Sequence, residues 1–371
     1  MRDYSNPAKT YQPFALLFIL LLTLWPSFLF AASGSNMNSL TVYSGRAERL
    51  IKPVLQAFTE KTGIRVELLT SKTAALINRL AMEGDRTPAD ILITNDAGGL
   101  EQARKLGLFR PMYAESQAIH TTTASNQMSS EEEPLFRSIE QIIPSSFRAD
   151  DNTWIGLSGR IYILVYNTEL LPAPNVHSVL DLAKPKWKGK IAIHHAGSEY
   201  LQSGVSVIRA VHGDETTQEF LRGLKENAEN HVYGKSSQIV NAVARGEVEL
   251  GLVNHYYIYR HLAKHPSAPI AALMPDQEDT QMGALLNVAG VGIVKQTAHP
   301  EQAEQFVAFL VSEEGQNMFA RLNKEFPLRA GVPKHPDLEP LKEIKTASVP
   351  LSKLGNLHKK TLTLMESVGM R

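Results

Sequence analysis

The chain has 371 residues, 43% of them hydrophobic, with 38 Lys and Arg against 38 Asp and Glu and no cysteine. That length supports a sizeable core arranged in two domains or lobes. The even charge and the lack of a long basic run argue against nucleic acid or an acidic membrane surface as partner; the missing cysteines exclude disulfides, thiolate metal ligands and a lipidated-cysteine tether.

Residues 1–13 carry Arg2 and Lys9, and an apolar run over 14–30 follows, broken by Pro26 and ending at the small residues Ala31, Ala32, Ser33 and Gly34. This predicts a signal peptide over 1–32, cleaved near Ala31 or Ala32. An uncleaved anchor is the other reading, for which the run is short. With Arg2, Lys9 and Asp3 removed, the mature net charge is about −1. An exported, untethered chain is expected free in a periplasm, where an outer membrane confines it.

Apolar periodicity predicts a strand at 40–43, a helix at 49–62 and a strand at 66–69, a βαβ unit. A helix at 73–82, a strand at 91–94 and a helix at 98–105 stopping at Gly107 continue the pattern. Residues 114–134 are polar without a sustained period and read as a surface loop. Strands resume at 154–157 and 161–166, with another at 191–193. Helices follow at 200–211, 217–226 and 236–244, then a strand at 249–253. Strands at 271–273 and 288–293 precede a helix from Pro300 to 311, proline suiting the first turn. The tail from Pro333 has weak periodicity.

Alternation of this kind predicts an α/β fold of two hinge-linked lobes with parallel or mixed sheets and a ligand cleft between them. The expected division is a first lobe over 39–155, a second over 156–270, a return to the first over 271–330, and a cap over 331–371 on the second.

Ligands in such sheets collect at the carboxyl ends of strands. There lie Tyr43, Ser44, Gly45 and Arg46, then Asn95 and Asp96, then Ser158–Arg160, 197–200, and Asn254 to Tyr257. Tyr256 and Tyr257 are adjacent phenols at a strand-to-helix junction, and hard phenolate oxygens suit Fe(III) better than calcium or magnesium. Ordinary half-buried helix aromatics are the other reading of the pair. Arg46 and Arg160 offer guanidinium forks to an anion, with the helix start at Gly197 and Ser198 as a further donor, or else form salt bridges. Adjacent His194 and His195 face opposite sides of a strand, which favours structural roles over a shared zinc. Gly-x-Ser-x-Gly, His-Glu-x-x-His and phosphate-loop signatures are absent, so nothing in the motifs supports an enzyme.

Seven segments in order carry a resemblance: Val-Tyr-Ser-Gly-Arg (42–46), Ala-Asp-Ile-Leu-Ile-Thr-Asn-Asp-Ala-Gly (89–98), Gly-Leu-Ser-Gly-Arg (156–160), Leu-Val-Tyr-Asn-Thr (164–168), Pro-Lys-Trp-Lys-Gly-Lys (185–190), Gly-Leu-Val-Asn-His-Tyr-Tyr (251–257) and Asn-Val-Ala-Gly-Val-Gly-Ile (287–293). Across roughly 39–330 the chain resembles the periplasmic ferric-iron-binding proteins of ABC importers, a transferrin-like, tyrosine-rich family of solute receptors.

The resemblance implies Tyr256 and Tyr257 as iron ligands and Tyr200 as a third phenol opening a second-lobe helix. It also implies carbonate or a similar synergistic anion at Arg46 and Arg160, and an ABC permease in the inner membrane as partner. A monomer is expected. Where many relatives carry first-lobe histidine or tyrosine ligands, this chain has Ala47 and Glu48, so either an anion completes the sphere or Glu48 reaches the metal. Ser44 and Ser198 are further candidates. Two other functions remain open here: a same-fold receptor for a small anion or organic solute, and an exported metal-dependent hydrolase using His194, His195 and Asp96.

Overall fold

The computed structural model describes residues 38–112, 142–341 and 344–370. The expected signal peptide and the polar loop 114–134 lie outside them. The first βαβ unit forms as the periodicity predicts: β1 (Ser39–Ser44), α1 (Glu48–Thr62) and β2 (Arg65–Thr70). α1 buries Leu50, Ile51, Val54, Leu55 and Phe58 as one stripe and ends at Gly63, whose φ of 73° only glycine adopts freely. α2 (Thr73–Glu83), β3 (Ile91–Thr94) and α3 (Ala97–Lys105) follow.

The strands of the described residues join one mixed sheet in the order β2-β1-β3, then Leu285–Ile293 (β9), Trp154–Asn167 (β4), Leu250–Asn254 (β7), Ile191–His194 (β5) and Val232–Tyr233 (β6), with Ile270–Leu273 (β8) and Phe326–Pro327 (β10) also on β4. Its spine is β4 (Trp154–Asn167) against β9 (Leu285–Ile293). Trp154 to Tyr162 of β4 pair with β9, and Tyr162 to Tyr166 pair with β7 (Leu250–Asn254). One strand thus runs from the first half of the sheet into the second, and two long strands link the lobes.

The sequence predicts two strands here; the structure has one, with a register shift between Gly156 and Ser158. Ser158-Gly159-Arg160 reads as a break because it lacks apolar side chains. All three are buried and stay on the ladder with Ala289, Val288 and Asn287. A Cβ at Gly156 would meet Leu328 at 2.7 Å and the Phe147 carbonyl at 2.9 Å, so close packing requires glycine at the irregularity.

The second half holds β5 (Ile191–His194), β6 (Val232–Tyr233), α4 (Glu199–Ala228), α5 (Ser236–Ala244) and α6 (His255–Lys264). The two helices expected over 200–226 are continuous in α4 except at Gly213, where φ 80° and ψ −179° break it. β8 (Ile270–Leu273) pairs with Leu164 to Asn167, in the second half. The return across the molecule is therefore made by β9 rather than by the strand expected at 271–273. α7 (Pro300–Val311), α8 (Glu313–Asn323) and β10 (Phe326–Pro327) then pack on the first half, where Phe58 meets Phe306 and Phe309.

The tail forms α9 (Leu351–Ser367), and it touches both halves rather than the second alone. Gly355 lies against Glu101 of α3, while Thr361 bonds Ser206 and the Leu357 carbonyl accepts from Arg209 of α4. No helix among the described residues is long and apolar enough to cross a membrane.

Candidate metal centre

The buried run of β7 ends at Asn254, and α6 starts at once with His255. Tyr256 and Tyr257 therefore leave the first turn of a helix at the carboxyl end of a central strand. Their rings lie 4.5 Å apart at 33°. Tyr256 is 1% exposed, and its hydroxyl has no hydrogen-bond partner. A buried polar group left unpaired is uncommon in a folded core, and it marks a place for a ligand. The Arg260 guanidinium stacks 5.1 Å from the centre of the Tyr256 ring.

Tyr200, half-buried in the first turn of α4, faces the Arg160 guanidinium at 5.8 Å. Burial pushes the phenols of Tyr256 and Tyr257 up, and Tyr200 raises both further, so the three oxygens share one electrostatic neighbourhood. Arg160 is 1% exposed. Its burial disfavours charge, but Glu325, Tyr256, Tyr200 and Asp96 outweigh that and hold the guanidinium protonated. Arg160 donates to the Asn95 carbonyl, and its Nε has no partner.

Arg46 is also buried, and its Nη2 donates to both oxygens of Glu325, at 2.7 and 2.9 Å. Ser158 donates to the same carboxylate at 2.6 Å. Burial alone would raise Glu325, but Arg46 and then Arg160 hold it below the usual carboxylate range. Two arginines and the fixed carboxylate of Glu325 thus stand beside the phenols, with Asp96 and Glu199 also within the electrostatic reach of Arg160.

Two ties cross from one half to the other around this group. Glu199 of α4 accepts from the Thr73 backbone N–H at 3.1 Å and from Asn95 Nδ2 at 3.3 Å. His255 Nε2 donates to the Lys324 carbonyl at 2.7 Å, while its Nδ1 accepts from the Ile161 N–H at 3.3 Å. Both ring nitrogens are thereby used by the neutral imidazole, and burial pushes His255 down to about 4.

The model of the bacterial extracellular solute-binding proteins matches residues 54–346. A Synechocystis protein, iron uptake protein A1, is 30% identical, with 92% of this chain and 90% of that protein covered. The major ferric iron-binding protein of Neisseria meningitidis is 28% identical over 98% of this chain and 100% of its own length. Among solved structures, the Trichodesmium IdiA (FutA) protein in complex with iron and citrate ligands superposes with a TM-score of 0.75 at 29% identity, covering 90% of this chain and 100% of that one.

The chain belongs to the bacterial extracellular solute-binding proteins. In this solute-binding protein the described residues include no group of three or more His, Cys, Asp or Glu side chains placed to hold a metal. His194, which the hydrolase reading needs, is buried between the Tyr162 hydroxyl at 2.7 Å and Ser236 Oγ at 2.9 Å, and burial pushes it down to about 4. His195 faces elsewhere, accepting from the Gly197 N–H at 3.0 Å in the wall of a cleft cavity of about 420 Å³ that Arg46, Ser198 and Tyr200 also line. Asp96 caps α3 by accepting from the Gly99 N–H at 2.8 Å.

The remaining candidates separate. Ser44 Oγ accepts from the Arg46 N–H at 3.1 Å and shapes the turn. Glu48 is 57% exposed and pairs with Lys52 at 2.9 Å, four residues on along α1, so it belongs to the helix surface. Glu325 and Glu199 were missed in the sequence. Glu199 stands in the 197–200 segment at a strand's end and is a first-turn carboxylate; Glu325 lies in a two-residue connection with no motif around it.

Proposed function

We propose that the protein captures ferric iron in the cleft between its two lobes, through the phenolates of Tyr200, Tyr256 and Tyr257, and hands it to an ABC permease in the inner membrane. The observation that carries this is the fully buried, unpartnered Tyr256 hydroxyl beside Tyr257, in the electrostatic reach of Tyr200 and Arg160. Three phenolates neutralise a trivalent ion, and phenolate is the hard donor that suits it. The relatives named for iron uptake and ferric iron binding, and the Trichodesmium structure holding iron, support the same cargo.

An anion completes the sphere in this reading, with carbonate as the small candidate and the buried Arg160, whose Nε has no partner and whose guanidinium faces Tyr200, as the cation that would receive it. Arg46 contributes through its carboxylate partner rather than through a free fork. The working site is periplasmic, the protein acts as a monomeric carrier, and no covalent chemistry on the solute is involved. Metal analysis of protein isolated from the periplasm, with its visible spectrum, tests the reading: iron near one equivalent with a phenolate-to-iron band is expected. Colourless protein that stays colourless with excess ferric citrate would overturn it.

A further inference from the structure

Tyr257, His261 and His265 follow one another at four-residue spacing along α6, so the helix sets a phenol and two imidazoles in one row. All three line a second cavity, of about 770 Å³, that Arg49 of the first half also walls. Tyr257 belongs to the tyrosine pair; the two imidazoles further along the row have no part in it. His265 caps the helix, and its backbone N–H donates to the His261 carbonyl at 2.8 Å, which holds the two residues one turn apart. Their ring centres lie 4.8 Å apart with the planes inclined at 43°. Neither imidazole makes a hydrogen bond or ion pair among the described residues, so the ring nitrogens are not committed to the fold.

A metal bonded to one nitrogen of each imidazole at about 2.0–2.1 Å, with those bonds about 90–110° apart, puts the two ring centres about 4.5–5.2 Å apart. The observed spacing falls inside that window. The surroundings decide which ion is suited. Among the described residues no Asp or Glu lines the cavity, whereas Arg49, Arg260 and Lys264 do. A hard dication such as magnesium or calcium finds no carboxylate there and is repelled by those cations. Only an ion that gains strongly from nitrogen donors overcomes that repulsion, and Cu(II) stands above Ni(II) and Zn(II) in affinity for them. We infer that His261 and His265 form a second metal site, which takes a borderline divalent ion, Cu(II) foremost, on two imidazole nitrogens with water in the remaining positions. Tyr257 and His261 are one turn apart, about 5–6 Å along the helix axis, so the two centres share a cavity without sharing a ligand. The site goes beyond the ferric reading and does not depend on it.

The test is titration of the iron-free protein with copper(II) chloride, followed by electron paramagnetic resonance and visible absorption. The parent chain is compared with His261→Gln, His265→Gln and His177→Gln, the last an exposed histidine elsewhere on the surface. One equivalent of Cu(II) with hyperfine coupling to two nitrogens is expected in the parent and in His177→Gln. Either substitution in the pair removes one arm of the chelate, so affinity should fall about tenfold or more and one nitrogen coupling should disappear. Zinc should displace the copper from the parent. Unchanged affinity and coupling in His265→Gln, or no stoichiometric copper binding by the parent, would overturn the site. So would a phenolate-to-copper band, which would put the ion on the tyrosines instead.

Discussion

Glu325 and Arg46, 279 positions apart in the chain, are joined by two contacts of 2.7 and 2.9 Å in a pocket closed to solvent. The ion pair ties the first strand's turn to the two-residue connection after α8, and Ser158 in the middle of β4 completes it. Two charges buried this way are costly apart and tolerable together. Each therefore depends on the other more than on water.

Replacing Glu325 by Ala leaves the Arg46 guanidinium buried without its partner, next to Arg160. We expect a loss of about 3–5 kcal/mol in urea unfolding. The conservative Glu325→Gln variant, which keeps an acceptor for Ser158, is expected to lose less. Equal stability of Glu325→Ala and the parent chain would show that water reaches the pair.

Glu199 joins the lobes through Thr73 and Asn95, one residue before Tyr200. Burial, with Asp96 adding, pushes its carboxyl up. Glu199→Ala removes two interlobe bonds without touching a phenol, so iron release to an external chelator is expected to speed up by about tenfold, from the ~1–1.5 kcal/mol that such bonds contribute. The visible band itself should keep its position. A shifted band with an unchanged release rate would place Glu199 on the metal instead of on the hinge.

His194 and His255 are held neutral in the fold and pushed down to about 4 from 6.5. Unfolded chains bind these protons at higher pH, so the stabilisation is full above about 6.5 and is lost as pH falls towards 4. Each shift corresponds to on the order of 3 kcal/mol at most. Urea midpoints measured from pH 7 to 4.5 should fall steadily, and a His255→Gln variant, less stable at pH 7, should show a shallower fall. Parallel profiles would mean that His255 titrates normally.

The phenols of Tyr256 and Tyr257 are pushed up, burial being the largest cause, so the iron-free pair is protonated at neutral pH. Ferric iron must displace those protons, and affinity should rise with pH. Release followed from pH 8 down to about 5 is expected to accelerate with acid. Unbuffered titration should also liberate protons with each equivalent of iron bound. Release that ignores pH over that range would contradict phenolate ligation.

Much of the fold was legible because it is local. The boundaries of β3, α5 and α7 follow from apolar period, with Pro300 in the first turn of α7, and the tyrosine pair could be placed because β7 and α6 adjoin in the chain; the cap expected for α5 at a serine is instead Lys235, without a side-chain bond. Long-range relations were not legible. Nothing near Glu325 signals a partner 279 residues away, and nothing in Ser158-Gly159-Arg160 signals that β4 continues through it, since that is decided by β9 alongside. Arg46 shows the consequence: its motif suggested an open fork for an anion, and the fold gives its Nη2 to a carboxylate and its Nη1 to Ser158. The tail helix was missed for a related reason. Its buried positions Leu351, Leu354, Thr361 and Met365 include a threonine that only the Ser206 contact explains.

Ferric titration of the iron-free protein, followed in the visible and compared with Tyr256→Phe, Tyr257→Phe and Tyr200→Phe, tests the central claim most directly. One equivalent of iron should develop a phenolate-to-iron band in the parent chain, with each substitution weakening the band and the affinity. A parent band that all three variants reproduce unchanged, or no band at all, would contradict iron held by these tyrosines.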